Sequence, residues 1–285
     1  MNDFTVPFQI DLKGKTAVVT GAGGVLCSQF SKALAICGAK VALIGRRIEP
    51  LQQLAAEIAA LGGVARGYSA DVLQKDQLEA VHDQILVDFG PCDILINGAG
   101  GNNAKATTTQ EYYQPDQLKA GDLSFFDLEQ AGISSVFDLN LLGTILTTQV
   151  FAREMANRSG AVIINVSSMS AYSPLTKIPA YSIAKAAVSN LTEWMAVHFS
   201  RVGIRVNAIA PGFFVGEQNR RLLFTESGAL TPRSEKILAK TPMGRFGESR
   251  ELLGALLYLV SAEAAGFVTG VIIPVDGGFN AYSGV

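Results

Sequence analysis

Short apolar runs alternate with longer amphipathic stretches along most of the chain. Residues 16–20 (TAVVT) and 40–44 (KVALI) are compact and rich in β-branched residues, and runs at 64–69, 93–97, 162–166, 204–210 and 271–275 repeat the pattern. Such runs predict strands buried on both faces. Between them, apolar residues recur every three or four positions; Leu26, Phe30, Ala33, Leu34 and Cys37 are one such set, closed by Gly38. That spacing predicts amphipathic helices. A helix over 51–61 has Pro50 near its first turn and Gly62-Gly63 after its end, which suit those positions. A further helix is expected over 76–89. Strand–helix–strand alternation with short connections predicts βαβ units, right-handed crossovers and a parallel sheet.

The rhythm breaks twice. Residues 101–132 are polar and long for a connection in a compact domain, with Thr107, Thr108 and Thr109, two tyrosines and Pro115. Residues 211–240 are the second irregular stretch, with a helix expected near its end. Helical patterning is also expected over 133–157 and 248–261. No Pro-, Gly- or Ser-rich linker divides the interior, so one domain over residues 1–285 is expected, with an insertion near 101–132 and a substrate loop near 211–240.

Composition narrows this picture. The chain has 285 residues, 48% of them hydrophobic and 17% charged, which excludes a disordered polymer and suits a sheet covered on both faces. A net charge of −2 provides no electrostatic footprint for nucleic acid or an anionic membrane. The three cysteines, Cys27, Cys37 and Cys92, form no CxxC pair, which suits reduced thiols in a cytosolic protein. His82 and His198 are far apart and have no cysteine cluster beside them, so no metal site is expected. His198, in the apolar run WMAVHF, is expected to pack on its helix. The N-terminus lacks a basic segment followed by an apolar one, and no apolar run approaches the roughly 20 residues of a membrane helix. A soluble, cytoplasmic protein is the expectation.

The candidate chemistry centres on VIINVSSMSAYSPLTKIPAYSIAKAAVSNL, residues 162–191. A strand ends there in a loop with Ser167 and Ser168, and a helix follows with Tyr181 and Lys185. Four residues apart, the phenol and the amine share one helix face. A phenol with an unperturbed pKa of about 10 is a poor acid or base at neutral pH, and a neighbouring ammonium favours phenolate. Ser168, at the C-terminal end of the strand, is placed to hold a substrate oxygen against the phenol. The pair alone more often marks a half-buried aromatic and a solvated lysine; the strand and the serine bring chemistry level with that reading, and the rest of the chain decides.

A strand leading through Gly21, Gly23 and Gly24 into a helix is a phosphate site in prospect, because helix N-terminal N–H groups lie free there. The second strand ends in Gly45-Arg46-Arg47, where a ribose-binding carboxylate would stand, and guanidinium groups suit a 2′-phosphate. NADP(H) is therefore favoured slightly over NAD(H). A solvated charge pair is the alternative.

Four signals occur in order: TGAGG after the first strand, NGAG (97–100) after the fourth, Asn140, and Ser168…Tyr181-x-x-x-Lys185. Their combination resembles the short-chain dehydrogenase/reductase family over essentially the whole chain. The resemblance implies an α/β fold: one doubly wound Rossmann-type domain with a seven-stranded parallel sheet and helices on both faces. It also implies hydride exchange between a nicotinamide cofactor and a carbonyl or alcohol. Carried over by position, Tyr181 is the general acid/base, Lys185 lowers its pKa and binds the nicotinamide ribose, Ser168 orients the substrate oxygen, and Asn140 holds a water. Gly21, Gly23, Gly24, Val25, Leu26 and Arg46 belong to the cofactor site. Asp71 and Val72 match the adenine contact, Asn97 and Ala99 line the cofactor, and Pro211 and Gly212 cover the nicotinamide. Homotetramers or homodimers are implied as well.

Departures from the family pattern are specific. Val25 and Cys27 replace glycines of TGxxxGxG, Gly98 stands where a second asparagine is usual, and Gly216 takes the place of a threonine in PGxxxT. Weaker cofactor affinity is the expectation. The stretches GGNNAKATT, SPLTKIPAYS, APGFF with QNR, and PVDGGFNAYSGV look like a bacterial subgroup assigned as D-mannonate oxidoreductases, or fructuronate reductases. A sugar acid needs a cation and many hydrogen-bonding groups. Asn102, Asn103, Lys105, Lys177, Gln218, Asn219 and Arg220 lie in the expected mouth loops, with Lys105 or Lys177 set to meet the carboxylate. A gluconate 5-dehydrogenase or 3-oxoacyl-carrier reductase is the alternative within the family. A non-catalytic dinucleotide-binding protein is the alternative outside it.

Overall fold

The structure, a computed structural model, describes residues 9–216 and 220–284. Seven strands form one sheet: β1 Thr16–Thr20, β2 Lys40–Gly45, β3 Val64–Ser69, β4 Ile94–Asn97, β5 Val162–Val166, β6 Arg205–Pro211 and β7 Ile272–Val275. Their order is β3-β2-β1-β4-β5-β6-β7, and every neighbouring pair is parallel. Each strand lies within one residue of its expected bounds.

Among the described residues ten α-helical segments accompany the sheet: α1 Val25–Ile36, α2 Ile48–Ala60, α3 Lys75–Asp88, α4 Gln130–Phe137, α5 Gly143–Met155, α6 Pro179–Phe199, α7 Arg220–Leu223, α8 Pro232–Ala239, α9 Leu253–Val260 and α10 Ala262–Ala265. The two layers follow from the period-2 geometry of strands. Ala17 and Val19 of β1 join Phe30, Leu34, Leu51 and Leu256 on one face. Val18, between them, joins Leu78, Ile85, Phe151 and Met195 on the other. Strands buried on both faces show unbroken apolar runs for this reason, which is why they were legible.

The irregular stretches are more ordered than their composition suggests. The 101–132 segment contains 3₁₀ turns at Ala104–Ala106, Pro115–Gln117 and Phe125–Asp127. Ala106 packs with Val136, Ala180 and Ala184, so the segment is tied to α4 and α6. The helix expected over 248–261 begins instead as a 3₁₀ turn, Ser249–Leu252, before α9. His198 packs on its own helix as expected, its ring stacked on Trp194 at 4.6 Å, but on the side of α6 that is turned to solvent. The continuous helical stretch Gln130–Met155 is long and apolar enough by length and composition to cross a membrane, and half of its most apolar window is buried within the fold.

The chain winds from β1 outward to β3, then returns to place β4 on the other side of β1. That reversal opens a crevice beyond the C-terminal ends of β1 and β4. At the opposite ends of the same strands, buried Asp93 accepts from Thr16 N (2.9 Å) and from Arg158 Nη2 (2.7 Å). Removing the carboxylate strands the buried Thr16 N–H, while Arg158 and Lys15 are about a third exposed and stay hydrated, so Asp93→Ala is expected to cost about 2 kcal/mol of stability. A lowered thermal-unfolding midpoint would show this, and ligand binding by the folded fraction should be retained.

Candidate active site

At the crevice, the glycine turn and the loop after β4 touch. Gly21 has φ +64°, and a Cβ on it would lie 2.8 Å from Gly98 O, so conformation and space both require glycine. Thr20 Oγ1 accepts from Gly98 N (3.1 Å) and Ala99 N (3.3 Å), which joins the two loops. Helix α1 starts at Val25 with Gly24 as N-cap, no side-chain cap and no acid in its first turn. Its orphan N–H groups and positive dipole end suit a phosphate. A cavity of about 500 Å³ adjoins them, lined by Gly23, Gly24, Val25, Gly216 and Arg220 among others. These features fit the phosphates of a dinucleotide.

Tyr181 and Lys185 stand on the first turns of α6, started by Pro179 at its N-terminus. Lys185 is buried, and its ammonium donates to Val166 O at 2.8 Å, which pins it to the end of β5. Its Nζ lies 5.7 Å from the centre of the Tyr181 ring. Ser168 caps the 3₁₀ turn Met169–Ala171 and accepts from Ser170 N (3.2 Å) and Ser170 Oγ (3.0 Å). With both lone pairs engaged, the Ser168 hydroxyl is left as a donor. Asn140 is fully buried in a five-residue π-helical stretch, Asp138–Leu142, between α4 and α5. Its Nδ2 donates to Val136 O (2.8 Å) and Gly101 O (2.7 Å). A Cβ on Gly100 would meet Asn140 Oδ1 at 2.7 Å and Lys185 Nζ at 3.1 Å, so these groups converge on one point. Tyr181, Lys185 and Asn140, foreseen from sequence, therefore come together, and Ser168 joins them through its hydrogen bond to the Tyr181 phenol.

Similarity to known proteins agrees with this geometry. A short chain dehydrogenase family profile matches residues 15–224. The chain belongs to the short chain dehydrogenase family. An uncharacterized oxidoreductase of Haemophilus influenzae is 57% identical over 275 residues, 96% of each chain. The oxidoreductase UxuB of Bacillus subtilis, also uncharacterized, is 52% identical over 281 residues, 98% of this chain and 100% of its own. A crystal structure from Haemophilus influenzae, provisionally assigned as a D-mannonate oxidoreductase and holding NAD, superposes with a TM-score of 0.94 at 56% identity; it covers 99% of this chain and 100% of its own.

Other foreseen residues are placed less uniformly. Leu26 lies in the first turn of α1, Arg46 is exposed just past β2, and Val72 is buried against Gly143. Asp71 lies beyond β3, and its Oδ1 accepts from Leu73 N at 3.0 Å. Ala99 follows β4, and Pro211 closes β6 beside Val275, with Gly212 pressed against Asp276. Asn97 turns its side chain into the core, where Nδ2 donates to Asn165 Oδ1 (2.9 Å) and Thr148 Oγ1 (3.0 Å). Lys105 forms an ion pair with Glu129 at 2.8 Å, and Asn102 Nδ2 donates to Thr107 Oγ1 at 3.0 Å. Lys177 has φ +73°, and its carbonyl accepts from Thr108 N at 2.8 Å, which joins the 101–132 segment to the approach of α6. Gln218 and Asn219 lie outside the described residues. Thr20 and Ser170 were not singled out from sequence. The threonine of TGAGG and the last serine of SSMS were the signals available.

Burial pushes the Tyr181 phenol above its usual value, and a hydrogen bond from Ser168 opposes this. The ammonium of Lys185 bonds to Val166 O, and burial lowers its own pKa to about 8. Only the protonated lysine favours phenolate. The kcat/KM for coenzyme in the carbonyl-reducing direction, which reports groups on the free enzyme, is thus expected to fall as pH rises through about 8. A pH–rate profile checks this, and Lys185→Met should lose that limb along with most of the rate.

Proposed function

We propose that this oxidoreductase interconverts a polyhydroxy acid and its keto form with a nicotinamide dinucleotide, the pair being D-mannonate and D-fructuronate. The observation that carries the reading is the convergence of Tyr181, Lys185, Ser168 and Asn140 beside an uncapped phosphate turn. The 56%-identical Haemophilus protein assigned to D-mannonate supports the substrate, as do the polar residues around Asn102, Lys105 and Lys177. NAD held by that protein supports NAD(H) as a coenzyme this chain accepts. Against it stand Arg46 and Arg47, whose guanidinium groups suit the 2′-phosphate of NADP(H).

The chain's residues divide the work. The first turn of α1, with Gly21, Gly23 and Gly24, would hold the cofactor's phosphates; Ala99 and Pro211-Gly212 would flank its reactive ring. Bound there, the dinucleotide would supply or accept the hydride. Ser168 donates a hydrogen bond to the substrate oxygen. Tyr181 gives that oxygen its proton in reduction and takes it back in oxidation. Lys185, held by Val166 O, stabilises the phenolate left behind. Lys177, or Lys105 on leaving Glu129, would meet the carboxylate.

A spectrophotometric assay of D-fructuronate with NADH and NADPH tests the reading. Tyr181→Phe should lower turnover by about 10³-fold with little change in coenzyme affinity. Gluconate- and acyl-type keto substrates belong in the same panel, and activity on those alone would replace the substrate assignment. Lys→Met at both 105 and 177 should raise the KM for fructuronate; an unchanged KM would remove them from carboxylate binding.

A further inference from the structure

The two side chains that thicken the phosphate turn each meet a glycine across the crevice. Cys27 is buried on the first turns of α1, and a Cβ on Gly98 would overlap its Sγ. Val25 begins the same helix, and a Cβ on Gly216 would overlap its Cγ1 and come within 2.7 Å of its Cγ2. Neither Gly98 nor Gly216 adopts left-handed backbone, so space rather than conformation demands glycine at both. Volume added on the turn is thus matched by volume removed opposite it, twice. The partners belong to different walls. Gly98 precedes Ala99 and Gly100, beside Asn140 and Lys185, and Gly216 lies on the loop after β6 that shares the 500 Å³ cavity with the turn.

We infer that Val25 and Cys27 are positioning residues for the cofactor, each seated in the space of a facing glycine, Gly216 and Gly98, so that the two contacts set the width of the dinucleotide crevice. The inference rests on the dinucleotide reading above. Close-packed contacts transmit strain rather than absorb it, so a methyl added at either glycine has to displace a whole loop or helix end. Cofactor affinity then depends on the pairs and not on either member.

Two double-mutant cycles test this, with NAD and NADH dissociation constants read by calorimetry and thermal midpoints measured without ligand. Gly216→Ala should weaken binding about 10-fold in the unaltered chain and less than about 2-fold beside Val25→Gly. For Gly98→Ala, rescue by Cys27→Ala should be partial, because Thr20 O also lies 2.9 Å from the new methyl. Val25→Gly and Cys27→Ala, which only remove volume, should each fold and bind severalfold more weakly. Additive effects in both cycles, or midpoints that fall while dissociation constants stay fixed, would overturn the inference. No binding of either dinucleotide by the unaltered chain would sink the cofactor reading, and this inference with it.

Discussion

Asn97 and Asn165 stand opposite each other on β4 and β5, and their amides hydrogen-bond across the two strands. From that pair, polar contacts run outward on both sides. Asn97 also donates to Thr148, whose hydroxyl bonds to Thr144 O, and the Thr144 hydroxyl in turn bonds to Asn140 O. On the other side, Asn165 donates to Thr192 of α6 at 2.8 Å. Every member is buried. Inside a low-dielectric core each of these bonds is costly to lose, and Asn97 Oδ1 is the member left without a partner. The network fixes α5 and α6 in register with the strand ends, and the π-helical stretch and the Tyr181–Lys185 face inherit that register.

The same frame buries the two groups whose ionisation matters most. Burial favours neutral phenol on Tyr181 and neutral amine on Lys185. Both groups nonetheless keep specific hydrogen bonds, Tyr181 accepting from Ser168 and Lys185 donating to Val166 O. The site is thus organised around hydrogen-bond geometry before any charge is considered. The acid/base pair becomes effective only as far as its neighbours permit charge to form.

Much of this was legible because it is local or periodic. Strands buried on both faces wrote seven apolar runs, and Tyr181, Lys185 and Ser168 lie within one strand–loop–helix unit. Asn140 was placed by resemblance, but not the π-helical hydrogen bonding that sets it there, since no residue type marks such a stretch. Facing pairs were invisible for a different reason. Cys27 and Gly98 are 71 positions apart (98 − 27), and read singly each looks like a lost motif residue. The side chains around Lys105 were read as free mouth groups, whereas Glu129, 24 residues on, pairs with it.

The thiol of Cys27 has one more consequence. Burial pushes its pKa up to about 12, despite the opposing charge of Lys185, and Cys92 is driven upward by the same cause. The half-buried Cys37 is shifted upward too. Nucleophilicity toward oxidants and alkylating agents belongs to the thiolate, so at neutral pH all three sulfurs are held in their inert form. The sulfur of Cys27 therefore serves beside Gly98 as a small apolar filler rather than as a nucleophile.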